Sequence, residues 1–213
     1  LLVSNEVIKT RVNVLAENLT KWGAVNTVVT NNDPKDFQRI PGFFDVVLVD
    51  APCSGSGLFR KDPAAEKEWS PENVMLCSQR QQRILSDILP SLKEEGILIY
   101  STCSYSPEED EAIADWLVEE QEMETLSLHT EKEWGIITSP SPVHKAIGYR
   151  FYPDQLKGEG FYMAVFRKKQ DTGFSEPAVR GKLQLAGRQE AEAVGPYVMD
   201  SAAFVFIKLK DDI

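Results

Sequence analysis

Residues 45–50 read DVVLVD and residues 96–104 read GILIYSTCS, and each stretch contains four consecutive apolar residues. A strand that is apolar on both faces is typical of a parallel sheet covered by helices on each side. Helical patterns lie between such strands: apolar residues recur every three or four positions over 8–22, and Ser70 followed by Pro71 is a typical helix start. The alternation predicts an open, doubly wound α/β sheet.

Further elements follow from local signals. Residues 31–44 read as a loop from their Asn, Asp, Pro and Gly content. Ser106, Pro107 and Glu109 have the spacing of a capping box, which predicts a helix that starts at residue 107. The remaining strands are predicted at residues 1–4, 26–30, 124–128 and 161–167.

The composition is that of an ordinary globular protein. The chain has 213 residues, 42% hydrophobic and 26% charged, which is enough for one sizeable core. No apolar run approaches the ~20 residues that cross a bilayer, and no signal-peptide pattern opens the chain. Three cysteines are too few for a disulfide-stapled domain, and the two histidines offer no zinc-ligand spacing. We therefore expect a soluble, cytoplasmic protein with neither a membrane nor a metal partner.

The net charge of −10 is unevenly distributed. Residues 106–133 hold eleven acidic residues and one lysine, which accounts for all of it. Residues 143–169 hold six Lys or Arg against two acidic residues. A local basic surface for nucleic acid is therefore compatible with this acidic chain, although a solvated polar face explains the charge at least as well.

Two loops follow the two apolar strands, and each carries a cysteine. The first cysteine loop reads DAPCSGSG over residues 50–57, and the second reads STCSYSP over residues 101–107. Open α/β sheets place their ligands at the carboxyl ends of strands, so both loops are candidates for a functional site. Gly55 and Gly57 allow close approach and unusual dihedral angles. The helix after Cys103 would lower the pKa of this thiol if its N-terminus lies close.

A single cysteine is more often a small buried apolar residue than a reactive group. Two cysteines at equivalent strand ends favour chemistry, whereas Cys77 lies on the apolar stripe of a helix and is expected in the core. Acidic residues also follow three strands: Glu6, Asp33 and Asp50. In nucleotide-binding sheets an acid after the second strand binds ribose hydroxyls, but capping explains Asp33 equally well and Glu6 fairly well.

Four segments resemble the Sun/Nop family of RNA (cytosine-5)-methyltransferases. They are DAPCSGSGLFRKDP from residue 50, RQQRIL from residue 80, YSTCSYSPEEDE from residue 100 and GEGFYMAVFRK from residue 158. The resemblance extends from residue 1 to about residue 169. Within the family, the chain is most similar to bacterial ribosomal RNA enzymes that carry a further C-terminal domain.

The resemblance implies a Rossmann-like enzyme that uses S-adenosylmethionine to methylate carbon 5 of a cytosine in RNA, with ribosomal RNA favoured over transfer RNA. It assigns the thiolate that adds to ring position 6, and so makes carbon 5 nucleophilic, to Cys103. Cys53 is assigned to breakdown of this adduct, and Asp50 to the cytosine edge and to the cofactor site. Glu6 would hold the cofactor ribose, and Asp33 its adenine.

An RNA substrate must present an unpaired or flipped base, because a thiol cannot approach a stacked one. Arg60, Lys61, Arg150 and the basic residues 167–169 would then contact the RNA backbone, with ordinary surface charge about as good an interpretation of each. Asp110 stands where the family commonly has asparagine, and Asp154 where histidine is expected.

The family's glycine-rich cofactor loop, and the strand before it, would lie upstream of Leu1. We therefore expect this chain to be part of a longer protein whose first sheet strand, between the second and fourth, is missing here. The isolated chain should bind cofactor poorly or not at all. We expect residues 1–169 to form the catalytic domain, residues 170–182 a polar linker, and residues 183–213 the start of a small C-terminal RNA-binding-type domain with a helix at 188–194 and a strand at 202–209.

Four alternatives stay open at this point. A DNA (cytosine-5)-methyltransferase would use Cys53 as its nucleophile, and the second cysteine loop argues against it. A catalytically inactive RNA-binding module or assembly subunit is favoured by the missing cofactor loop. A thiol redox protein needs the two cysteines at disulfide distance, and this chain has no CxxC motif. A serine hydrolase would use one of three loop serines, but this chain has no GxSxG elbow.

Overall fold

A computed structural model describes residues 1–171, 173–174, 184–198, 200–203 and 205–208. The chain divides into two compact units, Leu1–Ser175 and Glu176–Ile213. Most of the predicted linker at 170–182 falls outside the described residues, so the domain boundaries remain a prediction.

The first unit alternates strands with helices in its N-terminal two thirds. Its strands are β1 (Leu2–Asn5), β2 (Thr27–Thr30), β3 (Phe44–Asp50), β4 (Leu92–Thr102), β5 (Met123–Thr125), β6 (Ile137–Pro140), β7 (Ile147–Phe151) and β8 (Phe161–Lys168). Its α-helices are α1 (Lys9–Trp22), α2 (Pro63–Glu68), α3 (Pro71–Ile88) and α4 (Glu111–Glu119). Short 3-10 helices occupy Pro34–Arg39, Ser56–Leu58, Leu89–Ser91 and Lys132–Trp134.

The main sheet has the strand order β3-β4-β8-β7-β6, with β5 paired to β8. Strands β3 and β4 are parallel, whereas β8 runs antiparallel to β4, β7 and β5. Strands β1 and β2 form a separate parallel pair. The α/β prediction is therefore confirmed, as a mixed sheet. Strands β1 and β3 belong to different sheets in the described residues, and the strand expected between them remains a prediction.

The core lies where α3 and α4 pack against the middle of the main sheet. Leu85 on α3, Leu98 and Tyr100 on β4, Leu117 on α4 and Phe166 on β8 are all completely buried. Burial of a large apolar side chain contributes roughly 1.5–3 kcal/mol, so this layer fixes the position of the β4 carboxyl end.

Two apolar surfaces are less covered than their sequence patterns predict. On β3, Val47 and Val49 are buried, but Val46 and Leu48 are 54% and 63% exposed. Helix α1 has no buried residue, and Trp22 at its end is 83% exposed. The described residues cover one face of β3 and only part of the apolar stripe of α1, so the burial that these two patterns predict is incomplete.

Several boundaries differ from prediction. Between the strands predicted at 124–128 and 161–167 we expect a loop, but this segment contains β6 and β7. Strands of four or five residues that include glycine or proline give a weak sequence signal. Helix α4 starts at Glu111, after a turn over residues 107–110. By contrast, Ser70 caps α3 as predicted, since its hydroxyl accepts a hydrogen bond from Asn73 N at 3.1 Å.

The second unit contains β9 (Gln184–Leu185), α5 (Arg188–Val194) and β10 (Ile207–Lys208), with β9 and β10 antiparallel. The predicted helix at 188–194 is confirmed. The strand predicted at 202–209 is described only at Ile207–Lys208, and residues 204 and 209 lie outside the described residues. Across the described part of the chain, every helix is too short or too polar to traverse a bilayer.

Candidate active site

Parallel pairing brings the two cysteine loops to the same edge of the main sheet. Asp50 at the end of β3 is in register with Ser101 on β4, and the backbone continues the pairing through Ala51 N and Ser101 O at 2.8 Å. The sulfur atoms of Cys53 and Cys103 lie 2.9 Å apart. Both cysteines are free thiols of intermediate exposure. The two loops that the sequence marks as candidates for a functional site therefore meet in the structure.

The short contact between the sulfurs makes their titrations interdependent. A thiol at Cys103 donates a hydrogen bond to a thiolate at Cys53, which lowers the pKa of Cys53 to about 7 despite its burial. The same contact, with burial, raises the pKa of Cys103. The expected lowering of the pKa of Cys103 by a helix N-terminus is thus not found, because α4 starts eight residues later. The first proton to leave the pair therefore leaves Cys53 rather than the expected nucleophile.

Two glycines of the first cysteine loop are required by its geometry. Gly55 adopts a left-handed conformation with φ of 81°, which side chains other than hydrogen disfavour. A Cβ on Gly57 would overlap Gly160 O and would lie 2.7 Å from Cys103 O. Gly57 N donates to Cys103 O at 2.9 Å, so this close approach joins the two loops directly.

A buried carboxylate, missed by the sequence interpretation, also connects the loops. Glu109 is completely buried and accepts hydrogen bonds from Ser54 N, Ser54 Oγ and Ser104 Oγ at 2.7, 2.6 and 2.6 Å. The predicted capping box is wrong, since Ser106 N donates to Ser104 Oγ instead of to Glu109. A fixed-spacing pattern could not distinguish the two arrangements.

Asp50 lies beside the thiols and is exposed. Its Oδ1 accepts a hydrogen bond of 3.3 Å from Ser101 Oγ. No other hydrogen bond or ion pair to this carboxylate is found among the described residues, and its charge contributes to the raised pKa of Cys103. An ionised carboxylate has about four acceptor positions, so Asp50 retains capacity for a ligand.

Glu6 and Asp33 have local partners of the kind that a capping role predicts. Glu6 Oε1 accepts from Ile8 N at 2.9 Å, and its Oε2 lies 3.1 Å from Arg11 Nε. Asp33 caps the 3-10 helix Pro34–Arg39 by accepting from Lys35 N, and this bond lowers the pKa of Asp33. Asp33 also accepts from Arg83 Nη1 through both carboxylate oxygens, at 3.3 and 3.5 Å. Both side chains remain partly exposed, at 18% and 33%, and Asp33 has fewer acceptor positions open than Glu6.

Arg150, expected to contact RNA, lies in the interior and is only 7% exposed. Its guanidinium donates to Glu111 Oε1 and Oε2 at 2.7 and 2.5 Å, and it approaches Asp110 Oδ2 to 3.0 Å. A third donor bonds Tyr105 O at 3.3 Å. With its donors so used, Arg150 is withdrawn from the residues assigned to RNA.

The two acidic partners of Arg150 behave differently. Burial opposes ionisation of Glu111, but hydrogen bonds from Arg150 and Ser139 lower its pKa. Burial raises the pKa of Asp110 to about 9, although Arg150 is near. Burial without a hydrogen bond to the carboxylate oxygens therefore favours a neutral Asp110, which is isosteric with the asparagine that the resemblance leads one to expect there.

The other basic residues fall into two groups. Arg60 is exposed, and it bonds Gly158 O at 2.6 Å and Glu159 Oε1 at 3.0 Å; Lys61 beside it is exposed. Within 167–169, Lys168 is buried and donates to two main-chain carbonyls, while its neighbours pair with acidic side chains. Lys168 is therefore also withdrawn from the residues assigned to RNA, whereas Arg60, Lys61 and Lys169 are exposed and Arg167 is partly exposed.

The remaining candidates have structural surroundings. Cys77 is 5% exposed on the buried face of α3, and burial raises its pKa, as expected of a core cysteine. The hydroxyls of Ser54 and Ser104 donate to Glu109, whose carboxylate replaces the histidine that a serine nucleophile needs. In the described ranges, no group of three or more His, Cys, Asp or Glu side chains is suited to hold a metal.

A family model for the 16S rRNA methyltransferase RsmB/F matches residues 1–167. The chain belongs to this family. Ribosomal RNA small subunit methyltransferase F of Psychromonas ingrahamii is 33% identical over 98% of the chain, and that of Aliivibrio fischeri is 35% identical over 91%. The match covers 44% and 41% of those proteins, so the chain spans less than half the length of these curated RsmB/F relatives.

Solved structures agree with the RsmB/F assignment. The crystal structure of NSun6 from Pyrococcus horikoshii with SFG, an S-adenosylmethionine analogue, has a TM-score of 0.67 and 25% identity over 79% of this chain and 41% of that one. A methyltransferase homologue from the same organism has a TM-score of 0.64 and 29% identity over 78% of this chain and 52% of that one. The fold is accordingly the Rossmann-like fold of S-adenosylmethionine-dependent methyltransferases.

Proposed function

We propose that this chain carries the catalytic thiols of an enzyme that methylates carbon 5 of a cytosine in RNA, with ribosomal RNA as the substrate. One observation carries the proposal: in an RsmB/F family member, the sulfurs of Cys53 and Cys103 lie 2.9 Å apart at the ends of adjacent parallel strands. The curated relatives named above are ribosomal RNA methyltransferases. Ribosomal RNA and free thiols are both compatible with the cytoplasmic location that the sequence predicts.

The two thiols have complementary tasks in this proposal. Cys103 adds through sulfur to ring position 6 of the cytosine, and the resulting enamine makes carbon 5 nucleophilic. The proton of Cys103 can pass to a thiolate at Cys53, since a hydrogen bond joins the two sulfurs. Near pH 7 a substantial fraction of Cys53 is thiolate and able to accept it. After methyl transfer, the proton on carbon 5 passes to solvent and the bond from Cys103 Sγ to carbon 6 breaks. Cys53 assists this elimination by returning its proton to the departing Cys103 thiolate.

The carboxylates suit the remaining tasks. Asp50 is exposed at the carboxyl end of β3, so its carboxylate can accept hydrogen bonds from the amino group of the base and from N3 once N3 is protonated. Glu6 and Asp33 follow β1 and β2 with acceptor positions open, which fits the hydroxyls and amines of a nucleoside. They would hold the ribose and adenine of S-adenosylmethionine, which supplies the methyl group when bound. Arg60 and Lys61 would contact the RNA backbone.

Covalent trapping tests the proposal. The full-length protein is incubated with S-adenosylmethionine and 16S ribosomal RNA containing 5-fluorocytidine, in which fluorine blocks the final elimination, and the adduct is mapped by mass spectrometry. We expect a protein–RNA adduct on Cys103 that is lost in Cys103→Ala and kept in Cys77→Ala, the matched buried thiol. Transfer RNA prepared in the same way should give less adduct.

Other outcomes separate the alternatives. An adduct on Cys53 would reverse the roles of the two thiols. No adduct with any RNA, combined with retained RNA binding, would favour the inactive RNA-binding module. The redox alternative gains support from the contact between the sulfurs, because disulfide formation needs little movement. A Cys53–Cys103 disulfide that exchanges with added dithiols, in a protein that forms no RNA adduct, would favour that function.

A further inference from the structure

Glu109 is a completely buried acidic residue whose two carboxylate oxygens both accept hydrogen bonds, unlike its equally buried neighbour Asp110. Its Oε1 accepts from Ser54 N at 2.7 Å and from Gln81 Nε2 at 3.4 Å. Its Oε2 accepts from the hydroxyls of Ser54 and Ser104, each at 2.6 Å. Among the described residues no cation pairs with this carboxylate. Neutral donors from three segments therefore provide the hydrogen bonds that this carboxylate accepts.

The donors have a specific relation to the reacting atoms. Ser54 directly follows Cys53, and Ser104 directly follows Cys103. The carboxylate of Glu109 thus bonds the residue after each cysteine. Ser54 in the first loop lies 55 positions before Glu109 in the sequence, and Ser104 in the second loop lies only five positions before it. Hydrogen bonds to an ionised acceptor are roughly twice as strong as neutral ones, and burial strengthens them further.

We propose that Glu109 is a positioning residue that sets the separation of Cys53 and Cys103 for the adduct chemistry, an inference that rests on the proposed function. A residue needed only to start α4 would direct its carboxylate to the free N–H groups of that helix, as in a capping box. Glu109 instead leaves the turn over residues 107–110 and reaches the two loops. Its main-chain carbonyl accepts from Tyr100 Oη at 2.6 Å, which holds the residue against β4.

The test compares Glu109→Gln with Glu108→Gln in the full-length protein. Glu108 is the exposed neighbour, so its variant controls for loss of one charge at the same place. In Glu109→Gln the introduced amide keeps the size of the side chain but replaces one acceptor oxygen by a donor that faces other donors. We expect the rate of 5-fluorocytidine adduct formation at saturating RNA to fall about 10- to 100-fold in Glu109→Gln, with RNA affinity unchanged, and to stay at the wild-type value in Glu108→Gln.

A second readout reports on the thiols themselves. Alkylation of Cys53 by iodoacetamide across pH 6–9 measures its pKa, which should move upward in Glu109→Gln as the sulfur–sulfur contact loosens. Removal of the nearby negative charge alone would move this pKa downward, because the charge of Glu109 raises the pKa of Cys53. The sign of the shift thus separates lost positioning from lost charge.

The outcomes are distinguishable. If the wild type forms no adduct, the proposed function fails first. If the wild type forms an adduct and folded Glu109→Gln forms it at the same rate, or its Cys53 pKa falls, the positioning role is overturned. Should Glu109→Gln not fold, Ser54→Ala removes one hydroxyl bond to the carboxylate and leaves the bond from Ser54 N in place. A smaller loss of adduct rate in Ser54→Ala supports the role, and an unchanged rate overturns it.

Discussion

Arg150→Met provides a strong test of the interior network around α4. The guanidinium holds Glu111 through two hydrogen bonds and also contacts Asp110, both of which are buried. Methionine keeps most of the aliphatic stem and its packing near the Tyr162 ring, which the guanidinium carbon approaches to 5.5 Å. The substitution therefore removes charge and hydrogen bonds more than volume.

The size of the effect follows from what remains. Loss of one partner from a buried ion pair leaves the other uncompensated and costs about 3–5 kcal/mol. Here Glu111 would keep only the hydroxyl of Ser139, at 2.6 Å, as a side-chain donor. We expect a loss in this range in the free energy of unfolding, measured by urea titration near pH 7. Arg60→Met breaks an exposed pair with Glu159 and should change stability far less.

The same pair of variants tests the conclusion that Arg150 does not contact RNA. If Arg150→Met unfolds at the wild-type urea concentration and instead weakens RNA binding with a shallower salt dependence, the guanidinium is available to phosphates and the interior assignment is wrong. Arg60→Met should show the reverse pattern, with weaker RNA binding and little change in stability.

Two further predictions concern titrating groups. The pH dependence of Cys53 modification by iodoacetamide should give a pKa of about 7. The substitution Cys103→Ala removes the donor that stabilises the Cys53 thiolate, so it should raise this pKa. An unchanged pKa in Cys103→Ala would mean that the sulfurs do not interact. Because burial raises the pKa of Asp110 to about 9, the native state keeps a proton that the unfolded chain releases above roughly pH 4, so stability should fall as pH rises between these values. Asp110→Asn removes this titration, and its stability relative to wild type, from urea unfolding, should increase from pH 5 to pH 8; a pH-independent difference would contradict the prediction.

Features encoded by adjacent residues could be predicted. The apolar runs gave β3 and β4, and Ser70 with Pro71 gave the start of α3. Parallel pairing of β3 and β4 then followed from their two-sided apolar character, and with it the approach of the two cysteine loops. The pairing of two strands is a general consequence of the fold, so the candidate site could be located without long-range information.

Features that depend on competition between distant partners could not be predicted from the sequence. Arg150 reads as surface charge, and only the position of Glu111 opposite β7 makes it an interior residue. Strand β7 itself was missed because Gly148 interrupts its short pattern; a Cβ there would overlap the Tyr162 ring and hydroxyl. The charge of a side chain is visible in sequence, whereas the group that neutralises it is not.

Glu109 shows the same limit at the centre of the site. The segment SPEE satisfies the spacing of a capping box, in which Glu109 would serve a backbone N–H three residues earlier. The second cysteine loop offers Ser104 Oγ to that N–H instead, and this frees the carboxylate for Ser54 and Ser104. The helix consequently starts at Glu111 and has no side-chain cap. The carboxylate that would have capped it instead connects Ser54 and Ser104, the residues that follow the two thiols. The capping-box rule fails here because the carboxylate of Glu109 connects the two cysteine loops instead of the start of the helix.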